Sequence, residues 1–425
     1  MPGSIPRNRY MVIIVFLTFF VMSLLTNILN SIVPDIISSF NVGLAAAALL
    51  PFSFFIAYGV LSIPAGFLVE RFGEKPVMIA AFLAGTVGSL SFASHPSYRV
   101  AFTSFFVMGA GMATLQTAIN PLLRVAGGEE HFAFNSALAQ LIFGSASFLS
   151  PYLYSYLVVN LGNPTSAKNP FLSILGRMTP ASLPWASIYW IFALFTVSMI
   201  VVLYFSHFPR VERSEDEQAG SWQMYGSLFR KPMVWAFFLC VFAYVGCEQG
   251  TADWISKFLS QYHGYDPHTT GAAAVAWFWG LLTAGCFIGM LLLKIFDSRY
   301  VLIGTCTGAL VCLTAAIFGP ARISLIAFPT IGLFASVMWP ILVSLALNSV
   351  SEHHGSFSGI LSTGIMGGAV VPLIIGRIGD HLGLRTGLAF LYITFGCVLS
   401  VGFWARPIIS NAVINLKKTV VEPVS

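Results

Sequence analysis

Six of the carboxamide side chains inside apolar stretches of the sequence are candidate site residues, since an amide without a partner costs several kcal/mol there. They are Asn27, Asn30, Gln116, Asn120, Asn135 and Gln140. Amides donate and accept hydrogen bonds, which is the mixture that the hydroxyls of a sugar require. These residues therefore favour a wet site for a hydroxyl-rich solute. The alternative is that they link neighbouring helices, a common use of such side chains in membranes.

Two acids also lie within an apolar stretch. Glu248 is in its middle, between Gly246 and Gly250, and Asp253 follows five residues later. A charge at this depth is expensive, so Glu248 should hold a proton, a cation or a polar partner. The flanking glycines would let the helix bend beside a cavity. Glu248 and Asp253 are thus candidates for coupling transport to a cation; the alternative for Glu248 is a neutral acid bonded to a neighbouring helix, and for Asp253 a gate or a solvated group.

Trp339, between Met338 and Pro340 in the middle of another apolar stretch, offers an aromatic wall for a sugar ring. The sequence contains no HExxH, paired CxxC, Walker or GxSxG motif. We therefore expect no enzymatic activity, no cofactor and no metal. The six cysteines have no paired loop spacing and are interpreted as packing residues.

Composition defines the elements that must position these residues. Of 425 residues, 57% are hydrophobic and only 9% are charged, whereas soluble proteins carry about 25% charged residues. The chain is therefore predicted to be an all-α integral membrane protein surrounded by the lipid bilayer. No dense basic cluster suggests a nucleic-acid partner.

Twelve apolar segments are long enough to span a membrane. They are residues 9–34, 44–68, 76–94, 99–122, 131–160, 185–207, 232–259, 269–296, 300–319, 322–348, 355–380 and 386–405. A charged stretch divides them, which predicts a six-helix bundle at 1–208, a cytoplasmic linker at 209–231 and a second six-helix bundle at 232–425. The placement of Lys and Arg predicts that both termini are cytoplasmic.

The two halves also resemble one another. Residues 108–116 align with 331–339, and residues 131–144 align with 354–367 in the same register. Gly109 then matches Gly332, and Gly144 matches Gly367. This pattern favours a parallel duplication with a solute site between the halves; chance similarity between glycine-rich helices is the alternative.

The segment GFLVERFGEKPVM at 66–78 resembles the short basic loop motif of the major facilitator superfamily, although Glu70 stands where Asp is usual and Glu74 where a basic residue is common. The resemblance implies the major facilitator fold. It also implies a cytoplasmic gate formed by Gly66, Glu70, Arg71, Gly73 and Lys75.

The strings LNSIVP, LQTAINP, NSALAQ, FAYVGCEQ and WPILVSLAL together resemble the fucose permease branch, the fucose–galactose–hexose symporter family. By that resemblance Asn27 and Gln140 retain site residues, and Trp339 replaces a tyrosine before proline. Asn30 and Gln116 stand where the branch has an Asp and a Glu. Because amides do not exchange protons near neutral pH, the proton-relay role of those acids does not transfer, which leaves Glu248 as the main candidate.

We therefore predict a secondary transporter of a monosaccharide, a hexose, that works by alternating access in the cytoplasmic (inner) membrane as a monomer. The coupling ion is H⁺ or Na⁺, with uniport left open. An exporter of drugs or other amphiphilic molecules is the alternative, and a sensor with a transporter fold is a further one. Eight residues are predicted to bind substrate. They are Asn27, Asn30, Gln116, Asn120, Asn135, Gln140, Glu248 and Trp339.

Overall fold

The computed structural model describes residues 9–127, 132–161, 169–208, 222–349 and 354–406, which form α-helices and short helical turns. In the first half the helices are α1 Arg9–Asn27, α2 Leu29–Phe40, α3 Leu44–Phe72, α4 Glu74–Ser94, α5 Tyr98–Gly127, α6 Phe132–Leu161, α7 Pro170–Met178 and α8 Ile188–Phe205. In the second half they are α9 Trp222–Phe229, α10 Pro232–His263, α11 Ala272–Ile295, α12 Ser298–Phe318, α13 Ala321–Ala335, α14 Met338–Leu347, α15 His354–Thr363, α16 Gly367–Leu382 and α17 Leu384–Trp404.

Within the described ranges, twelve spans are long and apolar enough to cross a membrane, which confirms the predicted number. Span 1 combines α1 and α2, and span 10 combines α13 and α14. Span 11 combines α15 and α16. That the first bundle ends at 208 and the second begins at 232 stays a prediction.

Short helices occur in two connections between spans. Helix α7 lies between spans 5 and 6, where the Asn169 side chain accepts a hydrogen bond from Phe171 N at 3.0 Å and Pro170 occupies the first turn. Helix α9 lies at the end of the predicted linker, of which residues 209–221 fall outside the described ranges. The cap and the proline favour helix initiation, which polarity alone does not reveal.

Two spans are interrupted near a proline. Span 1 breaks at Ile28, whose carbonyl accepts a hydrogen bond from Ser31 N at 2.9 Å, and Pro34 follows in α2. Span 10 breaks before Trp339; because Pro340 has no N–H, the carbonyl of Ser336 has no helical donor and instead faces the Cys286 thiol at 3.5 Å. The breaks therefore lie beside candidate site residues.

The two halves contain the same close helix contact. A Cβ added to Gly109 of α5 would overlap the carbonyl oxygen of Phe54 in α3. A Cβ added to Gly332 of α13 would overlap the carbonyl oxygen of Phe278 in α11. These are the glycines that the internal alignment matches, so a shared packing requirement explains their recurrence.

Because consecutive spans alternate in direction, the protein has two faces. We call the face where span 1 begins the Arg9 face, and the face where it ends the Phe40 face. The halves pack against each other through α3 with α16, α6 with α11, and α2 with α10. Contacts near the Phe40 face include Gly376 of α16, whose added Cβ would lie 2.9 Å from the carbonyl oxygen of Leu44 in α3.

Helix α10 is continuous from Pro232 to His263, so the helix is not unwound at Gly246 and Gly250 near Glu248. An added Cβ at Gly246 would overlap Val371 of α16, and one at Gly250 would lie 3.0 Å from Ile375. The two glycines therefore allow close packing of α10 on α16.

Replacing Gly109 by Val should lower the unfolding temperature in detergent by several degrees. The added side chain must displace the α3 backbone at Phe54, and overpacking of this kind costs about 1–3 kcal/mol. Gly304→Ala in α12 is the matched control, since nothing lies within 4 Å of its added Cβ. Equal unfolding temperatures for the two variants would contradict the proposed packing role.

Candidate functional site

A polar network joins the two halves at Asn30, which is completely buried at the start of α2. Its Nδ2 donates to Gln249 Oε1 at 3.0 Å and to Asp253 Oδ1 at 2.6 Å, both on α10. Its Oδ1 accepts from Trp279 Nε1 of α11 at 3.2 Å. Both amide hydrogens and the amide oxygen of Asn30 are thus paired with residues of the other half.

The network continues along α10 to Glu248. Gln249 Nε2 donates to Glu248 Oε1 at 3.2 Å, and Tyr244 OH donates to Glu248 Oε2 at 2.7 Å. The Tyr244 hydroxyl also lies 3.2 Å from the carbonyl oxygen of Ala335, which the Trp339 N–H would bond in an unbroken helix. The Tyr244 and Trp339 rings are 6.1 Å apart. The break in span 10 therefore brings Trp339 next to the acid.

Asp253 is the most enclosed acid of this network, with 1% of its surface exposed. Its Oδ1 accepts the Asn30 amide, whereas its Oδ2 has no hydrogen-bond partner among the described residues. A negative charge at this position would have one amide to stabilise it, and burying an ion so weakly paired is costly. A proton or a small cation would neutralise that charge.

Asn27 is separated from this network although it lies only three residues before Asn30. Its Nδ2 donates to Ser147 Oγ of α6 at 2.7 Å and lies 3.4 Å from Ser23 Oγ. Both partners belong to its own half, and the residue is 1% exposed. In this state Asn27 makes an interhelical contact between α1 and α6, and its role in substrate binding stays a prediction.

Gln140 is exposed on α6. It shares a face of α6 with Gly144 and Ser147, four and seven residues later, because α-helical neighbours recur at those spacings. Gly144 packs against Thr283 of α11, and Ser147 bonds to Asn27 of α1. An exposed side chain on this face indicates that the space between the halves is open at the depth of Gln140, toward the Arg9 face.

Gln116 is half-buried and lies seven residues from Gly109, on the side of α5 that packs against α3. The backbone of Asn120 belongs to α5, but its side chain lies outside the described residues. Asn135 is near the start of α6, next to Gly127, and its Nδ2 has no hydrogen-bond partner in the described part of the chain. It is about 18 Å along the helix from Ser147, away from the network.

The residues predicted to form a gate lie around the turn between α3 and α4. Gly73 ends α3 with a φ of 82°, a conformation that favours glycine. Lys75 Nζ donates to the carbonyl oxygens of Tyr204 and Ser206, both at 2.8 Å, at the end of α8. Glu70 and Arg71 are exposed at the end of α3, and Gly66 is half-buried in the same helix. A gating role for these five residues stays a prediction.

Sequence reasoning did not include Gln249, Tyr244 or Trp279 among the site residues. A signal for Gln249 was present, since it directly follows Glu248 in the same apolar stretch. Tyr244 lies four residues before Glu248, one helical turn away. Nothing in the sequence pairs Trp279 with Asn30, because that contact depends on how two distant helices pack.

Comparisons with known proteins identify the family of this chain. The family model of the Major Facilitator Superfamily matches residues 15–372. The chain is 30% identical over 385 residues to a protein of Brucella abortus biovar 1 (strain 9-941) named glucose/galactose transporter, covering 88% of each protein. It is 24% identical over 385 residues to the L-fucose-proton symporter of Escherichia coli (strain K12), covering 86% of each.

Among solved structures, the chain is similar to a Major Facilitator Superfamily transporter, FucP, in the outward conformation. The TM-score is 0.67 at 20% identity, covering 93% of this chain and 98% of FucP. At this identity the likeness supports the fold: two bundles of six helices. The extent of the family match and the 30% identical relative settle the class of protein. This chain belongs to the Major Facilitator Superfamily and is a transporter, not an enzyme.

Proposed function

We propose that this protein carries a monosaccharide, a hexose, across the cytoplasmic (inner) membrane by alternating access between its two bundles. Relatives that share most of the chain are named for glucose and galactose or for L-fucose. The observation that carries the proposal is the network from Asn30 to Trp339 between the bundles. It combines amide, carboxylate, phenol and indole groups, which suit hydroxyls and the apolar face of a sugar ring.

The network suggests how a sugar would be recognised. In the present state Asn30 is bonded only within the protein, so a sugar hydroxyl must replace a bond such as that from Asn30 to Gln249. A solute without matching donors and acceptors would leave these buried groups unpaired, at a cost of about 1–3 kcal/mol each. Selectivity for hydroxyl-rich solutes follows from that penalty.

Orientation follows from charge. Counted over the termini, the central linker and the short loops together, most Lys and Arg residues fall on the side of the Arg9 face, including Arg71, Lys75, Lys294 and Arg299. Positive residues favour the cytoplasmic side, so both termini would be cytoplasmic. The state described here, open at Gln140, would then face the cytoplasm. A single chain contributes both walls of the site, which supports a monomer as the working unit.

Cation coupling would use the two acids of α10. Asp253 is bonded across the bundle interface to Asn30, whereas Glu248 is half-buried and bonded to Tyr244 on its own helix. Separation of the bundles breaks the Asp253 contact but leaves the Tyr244 contact in place. Asp253 would therefore respond to whether the bundle interface is closed, whereas Glu248 would contact the substrate. Either H⁺ or Na⁺ would neutralise the negative charge of these acids.

The sugar assignment predicts counterflow of labelled glucose or galactose in proteoliposomes. Asn30→Ala should lower the rate by about tenfold or more, since it leaves Gln249, Asp253 and Trp279 without a shared partner. Asn348→Ala is the control, because that amide, just after the end of α14, bonds Ser344 of the same half. A panel of neutral sugars that gives no counterflow above empty vesicles would exclude the sugar assignment.

If sugar transport is coupled to a cation, a variant of the coupling residue should differ in its effects on sugar exchange and on sugar accumulation. Asp253→Asn and Glu248→Gln remove a charge but keep a polar side chain, so a coupling residue so changed should still allow counterflow and lose gradient-driven accumulation. Uptake with proton and sodium gradients imposed separately identifies the ion. Unchanged accumulation eliminates the residue concerned, and accumulation by the unmodified protein under neither gradient identifies a uniporter.

A further inference from the structure

At the Phe40 face, two carboxylates each bond to a residue of the other bundle. Asp380, near the end of α16, accepts hydrogen bonds from the first backbone N–H groups of α3. Its Oδ1 lies 2.7 Å from Leu44 N and its Oδ2 lies 2.9 Å from Ala45 N. These N–H groups have no acceptor within their own helix, and the start of a helix carries partial positive charge. Asp380 therefore caps a helix of the other bundle.

The second carboxylate, Asp35, follows Pro34 in the middle of α2 and contacts the second bundle from the first. Its Oδ1 is 2.9 Å from His268 Nε2, at the start of span 8 in the other bundle. Tyr154 OH of its own bundle donates to the other oxygen. Only 10% of the Asp35 side chain is exposed. Both oxygens are thus held, one from each bundle.

The partner positions of the two contacts are equivalent under the internal repeat, although one offers backbone N–H groups and the other an imidazole. The register that aligns Gly109 with Gly332 also places Leu44 and Ala45 opposite Pro267 and His268. The start of the second span of each half is therefore bonded to a carboxylate of the other half. Two independent acids converge on equivalent positions, which a chance surface contact does not explain.

Opening of the Phe40 face would break both contacts. Gly376 packs on the Leu44 carbonyl beside the Asp380 contact, so α3 and α16 cannot part there while the contact is intact. Separation would leave two N–H groups of α3 and the imidazole of His268 without these acceptors. The free energy of these bonds therefore favours the state closed at this face.

We propose that Asp35 and Asp380 act as paired latches, which hold the Phe40 face closed and set the equilibrium between the two states of the transporter. This inference rests on the alternating-access part of the proposed function. Neither acid bonds to a residue assigned to the sugar, so a latch variant changes the population of states without removing a substrate contact.

Distances between spin labels test the latches directly. Ser94 and Arg322 are exposed at the Phe40 face in opposite bundles, and cysteines placed there carry the labels after the six free native cysteines are replaced. Asp380→Asn and Asp35→Asn should each shift the distribution toward longer distances and raise the open-to-closed ratio by about tenfold. The double variant should shift it further than either single variant.

Asp297→Asn is the matched control. Asp297 also caps a helix, through Arg299 N at 2.8 Å, but its bonds lie within its own half. It should keep the distances of the unmodified protein. An unchanged distribution in the double variant would overturn the latch proposal.

A cross-link between the same two elements tests whether the Phe40 face must open during transport. An added Cβ at Gly43 would lie 3.3 Å from the Asp380 Cγ, so Gly43→Cys with Asp380→Cys brings two thiols within reach of a disulfide. Oxidation should abolish counterflow and reduction should restore it, whereas either single cysteine should not respond. Full counterflow by the cross-linked protein would show that this face does not open there.

The two proposals fail separately in these experiments. Label distances need no sugar, so a latch-dependent shift in a protein without counterflow would contradict only the sugar assignment. Counterflow together with unshifted distances would contradict only the latches.

Discussion

The structure depends on one constraint: a polar group inside the membrane needs a partner, because neither lipid nor a dry interface supplies one. Asn30 meets this constraint with three partners from the other half. Asp35, with 10% of its side chain exposed, meets it near the Phe40 face. The bonds that satisfy these groups are the same bonds that hold the two bundles together, so polarity and conformational state are linked. A transporter built this way changes state by exchanging partners, not by exposing bare polar groups.

The two halves share a scaffold but differ in chemistry. Gly109 and Gly332 make equivalent backbone contacts, which preserve helix packing in both bundles. The polar side chains are not equivalent: amides dominate the first half, whereas the second supplies Glu248, Asp253 and the indoles near them. The matching glycines therefore place helices at equivalent close approaches in the two halves, whereas unequal side chains give the halves different chemistry.

The sequence allowed the twelve spans and the fold to be predicted, because span length and apolar composition depend on the chain alone. It did not allow the partners within the site to be predicted. Asn27 and Asn30 are three residues apart, yet one bonds α6 of its own half and the other bonds α10 and α11. The interruption at Ile28 and the packing of distant helices decide this. The role of Asp380 could not be predicted for a similar reason. Its carboxylate acts as an acceptor only because the start of α3 lies beside it.

The interruption of span 1 at Ile28 has a mechanical consequence. Helix α1 is tied to α6 by Asn27, whereas α2 is tied to the second half by Asn30 and Asp35. Helix α10, which receives the Asn30 contact, is unbroken over its 32 residues. Rigid-body tilting of α10 would therefore move α2 but not α1. The bend in span 1 would then occur at Ile28. Span 1 therefore has one flexible point, at Ile28, beside a continuous helix α10.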